Sequence, residues 1–584
     1  MTMRVSKACA IAVATLLPLA LLWATLVVWR TGYDALAHAL VVRAGKAHQE
    51  ALLKARYFTP TAFEALRWLL PAVVVATSCL VFITAAYFDC AVSALTAGIG
   101  STVEWVKASR ARFARLRPST KMSFWLLLGL QLLYTLVHMA RIPVSYDEAW
   151  TYLNFTMRPV FISLSYYPAP NNHILFSVLT TMTRAMPLSP VMNMRFISLL
   201  FSLATTATLF WVGRRFLDES AMVLSACLFV FSFPVSLYAM QARGYAMLLF
   251  FSTVCFCSLV TFAIDSSRRS SLAAYCVASV LGFYTIPSFL YPFASISVSL
   301  LTYGGWTRQW RLVRLLVLAD CAIVAAVLIL YTPIFLVSGV AAVASNSDVQ
   351  RLPLDVVAQR LPDHLATTAG WLCGVERGGI AIILAVAATA TYLLRVATDR
   401  PKVLLQGSML AILLLPPAIV IVHRTIPFER TWIYLLVPLC FLTAAIVERL
   451  TSRVLTRLPH LRWALPVAIV GITVLSTSPF TRHYDREFSR DFEADRLFAG
   501  IPSEAIGSIA YDDVYYADLL TYRVQLHRRA PVIARRLTPG TSTDADALVI
   551  AKGSRNQIDD RHDYSLWRQN EAVMVYLRHS PAQH

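Results

Sequence analysis

Apolar residues come in runs of about twenty along most of the chain, and short polar or basic stretches separate them. A helix needs roughly 20 apolar residues to cross a bilayer. On that basis thirteen runs qualify, starting near positions 9, 69, 123, 191, 220, 245, 271, 288, 314, 378, 403, 431 and 463. The pattern breaks twice. Between Arg141 and Pro190 the chain is aromatic and apolar but has no span-length run, and from about Thr481 it turns polar and soluble-like. In the first break Trp150, Leu153 and Met157 share one helical face. Ile174, Leu175, Val178, Leu179 and Met182 share another, so this loop reads as two short helices lying in the membrane interface. In the tail, Ser508–Tyr511 and Ala547–Ala551 read as strands flanking a helix over Asp513–Val524, a small α/β domain.

The expected fold is therefore an all-α polytopic membrane protein of about thirteen spans. It has interfacial helices in one external loop and a small extracytoplasmic α/β domain at the end. Residues 1–122 read as an extra two-span region, 123–480 as the transmembrane core, and 481–584 as the C-terminal domain. Composition agrees: 57% of the 584 residues are apolar and only 15% charged, against about 25% charged in a soluble protein. The net charge of +19 is scattered through short loops and no nucleic-acid-binding motif accompanies it. Cytoplasmic retention of Lys and Arg, and contact with anionic lipid, account for it. Of the ten cysteines, Cys79, Cys227, Cys255, Cys257 and Cys321 lie inside apolar runs, and only Cys373 falls in an external loop. They form neither a disulfide framework nor a metal-ligand spacing. The first run, Cys9–Trp29, lacks a small-residue cleavage site and reads as a retained anchor.

Orientation follows from the segment Lys107–Lys121, which holds six cations and no acid just before the third span. Basic loops stay cytoplasmic, so the N-terminus is expected inside and the end of that span outside. An odd number of spans then puts the C-terminus outside as well.

This orientation sends the chain's notable polar groups to one face. Asp147 and Glu148, in RIPVSYDEAW, follow the third run. Alone, such a pair could merely end a helix. On the same face lie His173, behind the N-cap candidates Asn171 and Asn172, then Arg195, Arg243, and Arg424 with Arg430 in HRTIPFERTWIYLLVP. Each cation singly could snorkel to headgroups, and His173 alone is more simply a hydrogen-bonded structural residue. Together, cations around an acidic pair describe a phosphate site beside a carboxylate base. Tyr146, Asn172 and Tyr245 are the neighbours placed to position a substrate. Asp147, Glu148 and His173 also leave room for a divalent cation, and no other cofactor is indicated.

The order YDEAW, NNHILFSVL, MRFISLLFSLATTATLFWVGRRF, YAMQARGYAMLLFF, followed by IPFERTWIYLLVP, resembles the C-type integral-membrane glycosyltransferases. The branch most similar contains the protein O-mannosyltransferases, the lipid A aminoarabinose transferase and the rhizobial lipopolysaccharide galacturonosyltransferases. The resemblance covers roughly 120–480 and is strongest over 141–250. Many members carry a His-Pro-Pro-Leu type motif where this chain has Asn172-His173-Ile174-Leu175, which keeps the histidine.

The resemblance implies transfer of a sugar from a polyprenyl-phosphate carrier to an acceptor on the extracytoplasmic face, with inversion. The acceptor class spans glycolipid, polysaccharide and protein. Asp147 would be the general base, Glu148 a positioning or second acidic group, and His173, Arg195, Arg243, Arg424 and Arg430 the donor-phosphate ligands. The competing class is a transporter or flippase that holds the same polyprenyl-phosphate headgroup. Transporters tend to place ionisable groups at the membrane midplane. Here Asp320 is the one obvious midplane acid, and the other charges gather at one face.

Overall fold

The computed structural model describes residues 2–43, 50–51, 54, 58–86, 111, 113–213, 217–344, 351–375, 377–395, 400–458, 464–528, 531–537, 543–554 and 563–579. Part of the Lys107–Lys121 cluster lies outside these residues. The chain divides into two compact units. One comprises Met1–Leu116, Leu164–Pro170 and Leu328–Asp348, and the other Arg117–Ser163, Asn171–Val327 and Val349–His584.

In the first unit, helices Thr2–Arg30 and Pro60–Ala86 pack around Val28, Ala37, Phe58, Phe63 and Leu70. Tyr33 stacks on Phe58 at 5.6 Å and donates its hydroxyl to the Phe58 carbonyl at 2.6 Å. The second unit carries the remaining long helices, the chemistry-bearing loop and the C-terminal sheet.

A helix occupies each of the thirteen apolar runs. Among the described residues five are long and apolar enough to cross a membrane: Pro118–Arg141, Pro190–Trp211, Tyr245–Ile264, Trp310–Val337 and Glu429–Thr451. The number reaches seven if two bent pairs each make one span: Glu219–Val230 with Phe233–Met240, bent by 61°, and Val403–Leu414 with Pro416–His423, bent by 44°. Prolines explain both bends, because Pro234 and Pro416 stand at the start of the second half-helix, where a missing N–H does least harm. By length and apolarity five to seven of the thirteen expected spans qualify among the described residues, which supports a polytopic membrane fold. Three of the remaining runs form helices of 17 residues: Arg269–Thr285, Leu290–Trp306 and Gly379–Arg395.

The loop expected to hold two interfacial helices is more finely divided. It contains α-helices Tyr146–Thr151, Val160–Ser165 and Ile174–Thr183, with a π-helical turn over Tyr152–Thr156 continuing the first. A π-turn widens the helix by one residue per turn and often sits where side chains must be aimed. An amphipathic helix that the span pattern did not mark, Leu354–Cys373, ends at Gly374 in the left-handed conformation (φ 69°).

The C-terminal domain is a five-stranded mixed sheet of order β2-β1-β3-β5-β4, with β1 Ser508–Tyr511, β2 Ile533–Arg536, β3 Ala547–Ala551, β4 Tyr564–Gln569 and β5 Val573–Arg578. β1 pairs in parallel with β2 and β3, while β5 is antiparallel to β3 and β4. Helix Val514–His527 makes the β1–β2 crossover that a parallel pair requires. Asp513 caps it by accepting from the Tyr516 N–H at 3.2 Å. Strand β3 is buried along nearly its whole length, as a central strand should be.

Helices Leu354–Cys373 and Gly379–Arg395 pack so closely that a Cβ on Gly379 would fall on the backbone of Ala369 and Gly370. Gly379→Ala should therefore cost about 1–3 kcal/mol of stability through overpacking, read as a lowered Tm of the purified protein in detergent. An unchanged Tm would show that these helices do not meet at that point.

Candidate active site

Helix Tyr146–Thr151 starts immediately after the first long helix of its unit, and Ser145 opens it. The Glu148 carboxylate reaches back to accept from the Ser145 N–H at 3.0 Å, the capping-box arrangement. That bond places Glu148 inward and leaves Asp147, one residue earlier, on the more open side. Glu148 is wholly buried, whereas the Asp147 side chain retains 32% of its exposure.

Arg195, from helix Pro190–Gly213, meets Glu148 as a two-pronged fork: Nε donates to Oε1 at 2.8 Å and Nη2 to Oε2 at 2.7 Å. Its other donors go to the carbonyls of Met139 (2.8 Å), Ile142 (2.9 Å) and Pro143 (2.8 Å). A guanidinium has five N–H donors, and all five are taken. Arg195 is 1% exposed and has nothing left to offer a phosphate. Burial pushes the Glu148 carboxyl up, but the Arg195 charge and the hydrogen bonds outweigh it and hold the group below its ordinary range. The sequence paired Glu148 with catalysis and Arg195 with the donor phosphate. The structure instead joins them to each other.

Glu148 Oε1 also accepts from the Ala242 N–H at 2.7 Å, which seizes the turn before helix Tyr245–Ile264. Two more ties hold that turn. Ser198 Oγ donates to the Arg243 carbonyl at 3.1 Å, and the Gly244 N–H donates to His173 Nδ1 at 2.7 Å. A Cβ on Gly244 would stand 2.9 Å from His173 Nδ1, so the close approach requires glycine there. His173 is itself the N-cap of helix Ile174–Thr183 rather than a first-turn residue behind an asparagine cap. Since Nδ1 accepts a hydrogen bond, the proton of the neutral ring sits on Nε2. Burial, with the charges of Arg243 and Arg430, lowers the imidazole well below its usual range and keeps it neutral.

Asp147 faces cations. Arg243 Nη2 stands 3.4 Å from Asp147 Oδ2, and Asn171 bridges the two, donating to Asp147 Oδ1 at 3.0 Å and accepting from Arg243 Nη2 at 2.9 Å. Burial pushes the Asp147 carboxyl up. Arg243, Arg430 and the Asn171 hydrogen bond more than offset that, so the group lies below the ordinary carboxylate range and is ionised at neutral pH.

Tyr245 is the hub of the cationic side. Its ring centroid is 5.2 Å from that of His173, 6.0 Å from the Arg243 guanidinium and 5.8 Å from the Arg430 guanidinium. Three buried nitrogens on these residues have no hydrogen-bond partner among the described residues: His173 Nε2, Arg243 Nη1 and Arg430 Nε. Orphaned buried donors are costly, and these three lie on the residues that surround the Tyr245 ring.

The remaining candidates separate. Tyr146 lies beside the carboxylates, its N–H donating to Asp491 Oδ1 at 3.0 Å and its ring stacked on Tyr515 at 5.1 Å. Asn172 is buried away from them, donating to the Ser163 carbonyl at 3.0 Å and accepting from Ser177 Oγ at 3.0 Å. Arg424 is exposed, in the left-handed conformation (φ 58°), and its carbonyl accepts from the Leu352 N–H at 2.8 Å. No bond joins it to Asp147, His173 or Arg243 among the described residues. Gly244 and Asp491 complete the site without having been marked by the sequence, and Asn171, marked there only as an N-cap candidate, joins them. Asn171 stood one position from the chosen asparagine, and Asp491 lies 345 residues from its partner Tyr146. Among the described residues no three His, Cys, Asp or Glu side chains gather to hold a metal ion. Asp147 is flanked by guanidinium groups and His173 Nδ1 is occupied, so these residues do not fit a divalent cation.

The fold is similar to that of solved structures that share little sequence with this chain. The chain is similar to ArnT from Cupriavidus metallidurans, solved bound to undecaprenyl phosphate, with TM-score 0.54 and 12% identity over 78% of this chain and 98% of that one. The same protein in its apo state matches with TM-score 0.52 and 13% identity, over 77% and 97% of the two chains. No protein-family profile and no curated protein sequence matches.

Removing one partner of the Glu148–Arg195 pair strands a buried charge. Glu148→Ala should cost about 3–5 kcal/mol, seen as a large fall in Tm and in the amount of folded protein. The double variant Glu148→Leu/Arg195→Met should recover part of that loss. A single variant as stable as the natural protein would show that the pair is not buried in the membrane-embedded state.

Proposed function

We propose that this protein transfers a sugar from a polyprenyl-phosphate carrier to an acceptor hydroxyl or amine on the extracytoplasmic face of the membrane. The observation that carries the reading is the juxtaposition of an ionised carboxylate, Asp147, with the three orphaned donors on His173, Arg243 and Arg430. The shared fold with a protein solved on undecaprenyl phosphate supports the choice of carrier.

The chemistry follows from the charges. The Asp147 carboxylate accepts the proton of the acceptor nucleophile as its heteroatom bonds to the anomeric carbon. The bond from that carbon to the phosphate oxygen breaks, and its electron pair leaves with the phosphate. Attack from the face opposite the leaving group inverts the anomeric centre. Negative charge grows on the departing oxygen, where Arg243, Arg430 and the His173 Nε2–H stabilise it more strongly than in the ground state. A neutral histidine suits this role, because it donates without adding a third positive charge beside the arginines. The same arginines hold Asp147 acidic in the free protein. An arriving phosphate shares their charge and adds its own, which makes Asp147 a stronger base when the donor is bound.

Two substitutions test the assignment on purified protein. Asp147→Asn keeps size and hydrogen bonding but removes the base, so turnover should fall by about 10²–10⁴-fold while binding of polyprenyl phosphate alone persists. A transporter of the same headgroup would tolerate this change, and more than about a tenth of the natural activity would remove Asp147 as the base. With Asp147 already ionised in the free protein at neutral pH, kcat/KM should show no fall due to this group until the pH drops below the ordinary carboxylate range. Arg243→Lys keeps charge but not the fork. It should lose about 2 kcal/mol or more of transition-state stabilisation, about 30-fold in kcat/KM. Near-natural activity would leave Arg430 and His173 as the phosphate ligands.

A further inference from the structure

We propose that the C-terminal domain is a positioning element for the Asp147 carboxylate, with Asp491 supplying the acceptor that fixes the first turn of the Asp147 helix. This deepens the reading above and rests on it only for the effect on turnover.

The first N–H groups of any helix lack partners within it. In helix Tyr146–Thr151 the Tyr146 N–H is satisfied from far along the chain, by Asp491 Oδ1 at 3.0 Å. The same oxygen accepts from the Tyr515 hydroxyl at 2.8 Å, and the Tyr515 ring stacks on Tyr146 at 5.1 Å with 16° between the planes. One turn further along the crossover helix, the Asp518 carboxylate sits at the Tyr146 hydroxyl. Tyr522 meets Tyr152 edge-on at 5.1 Å, just beyond the far end of the same short helix. Residues 491, 515, 518 and 522 therefore grip residues 146 and 152, which bracket Asp147. A six-residue helix is too short to hold itself in water. Its orientation must come from what it docks against, and this domain provides one side of that dock while Glu148 and Arg195 provide the other.

Asp491 is only 6% exposed, and burial, with the nearby charges of Glu148 and Asp147, pushes its carboxyl up to about 6. Placing a third carboxylate beside the acidic pair is unfavourable. The bonds to Tyr146 and Tyr515 are the compensation the structure displays.

The test is hydrogen exchange across residues 144–157 in the full-length protein, alongside turnover and binding of polyprenyl phosphate alone. Asp491→Ala should raise exchange in that segment about tenfold or more and lower kcat with phosphate affinity unchanged. Asp491→Asn, whose amide oxygen can accept both bonds, should restore both values. Asp495→Ala, which removes an exposed acid of Asp491's own helix, Ser489–Leu497, and its pairing with Arg523, should leave the segment unchanged. Tyr515→Phe keeps the ring stack and loses one hydroxyl, so a smaller rise of about threefold is expected.

Unchanged exchange over 144–157 in a folded Asp491→Ala protein overturns the proposal. So does an Asn variant as perturbed as the Ala one. If Asp491→Ala does not fold, unchanged exchange in Tyr515→Phe overturns it equally. Exchange that responds as expected in a protein that transfers no sugar would leave the positioning role standing and reject the functional reading.

Discussion

The bidentate contact between Glu148 and Arg195 organises everything around it. Through five hydrogen bonds Arg195 gathers the end of helix Pro118–Arg141, the Ile142 and Pro143 carbonyls and the Glu148 carboxylate onto helix Pro190–Gly213. Glu148 in turn holds Ala242 and closes its own helix through Ser145. A buried ion pair is weak evidence of net stability, because desolvation opposes its attraction. Its effect here is on uniqueness: each of its oxygens and nitrogens has one geometry that satisfies it, and that geometry leaves Asp147 facing Arg243.

From that anchor the charges of the site fall into two groups with different fates. Arg195 is neutralised and saturated, so it serves the scaffold. Arg243 and Arg430 keep donors in reserve beside Asp147, and the neutral His173 adds one more. The turn Gln241–Gly244 makes the difference. Its backbone is tied at three consecutive residues to Glu148, Ser198 and His173, and the Arg243 side chain is aimed accordingly. Preorganised donors of this kind need no rearrangement as charge develops, which is the physical basis of their effect in a low-dielectric site.

Much of the fold was legible in the sequence, because hydrophobic periodicity reports which face of an element is buried. The apolar runs became helices, and β1, β3 and the helix between β1 and β2 appeared at the expected positions. Strands β2, β4 and β5 escaped notice: Ile533–Arg536 and most of Tyr564–Gln569 are exposed, so those two carry no burial pattern and are strands only because a neighbour offers hydrogen bonds, while β5, with Val573 and Val575 buried, went unmarked as well. Among the described residues five to seven of the thirteen expected crossings are long and apolar enough to span, and three of the other runs form helices of 17 residues, a length that a run of apolar residues does not record.

Sequence by itself determined the polytopic helical class, the resemblance to C-type membrane glycosyltransferases and the gathering of acids, arginines and a histidine around one aromatic-rich loop. These depend on composition and order, which a linear chain displays. It could not tell Arg195 from Arg243, or Asn172 from Asn171. Each pair matches in residue type and in expected depth, and what separates them is which carboxylate or carbonyl each one meets. Nor could it connect Asp491 to Tyr146. Hydrogen bonding acts over about 3 Å between residues hundreds of positions apart, so only the tertiary structure decides which charges are consumed by the scaffold and which remain for a ligand.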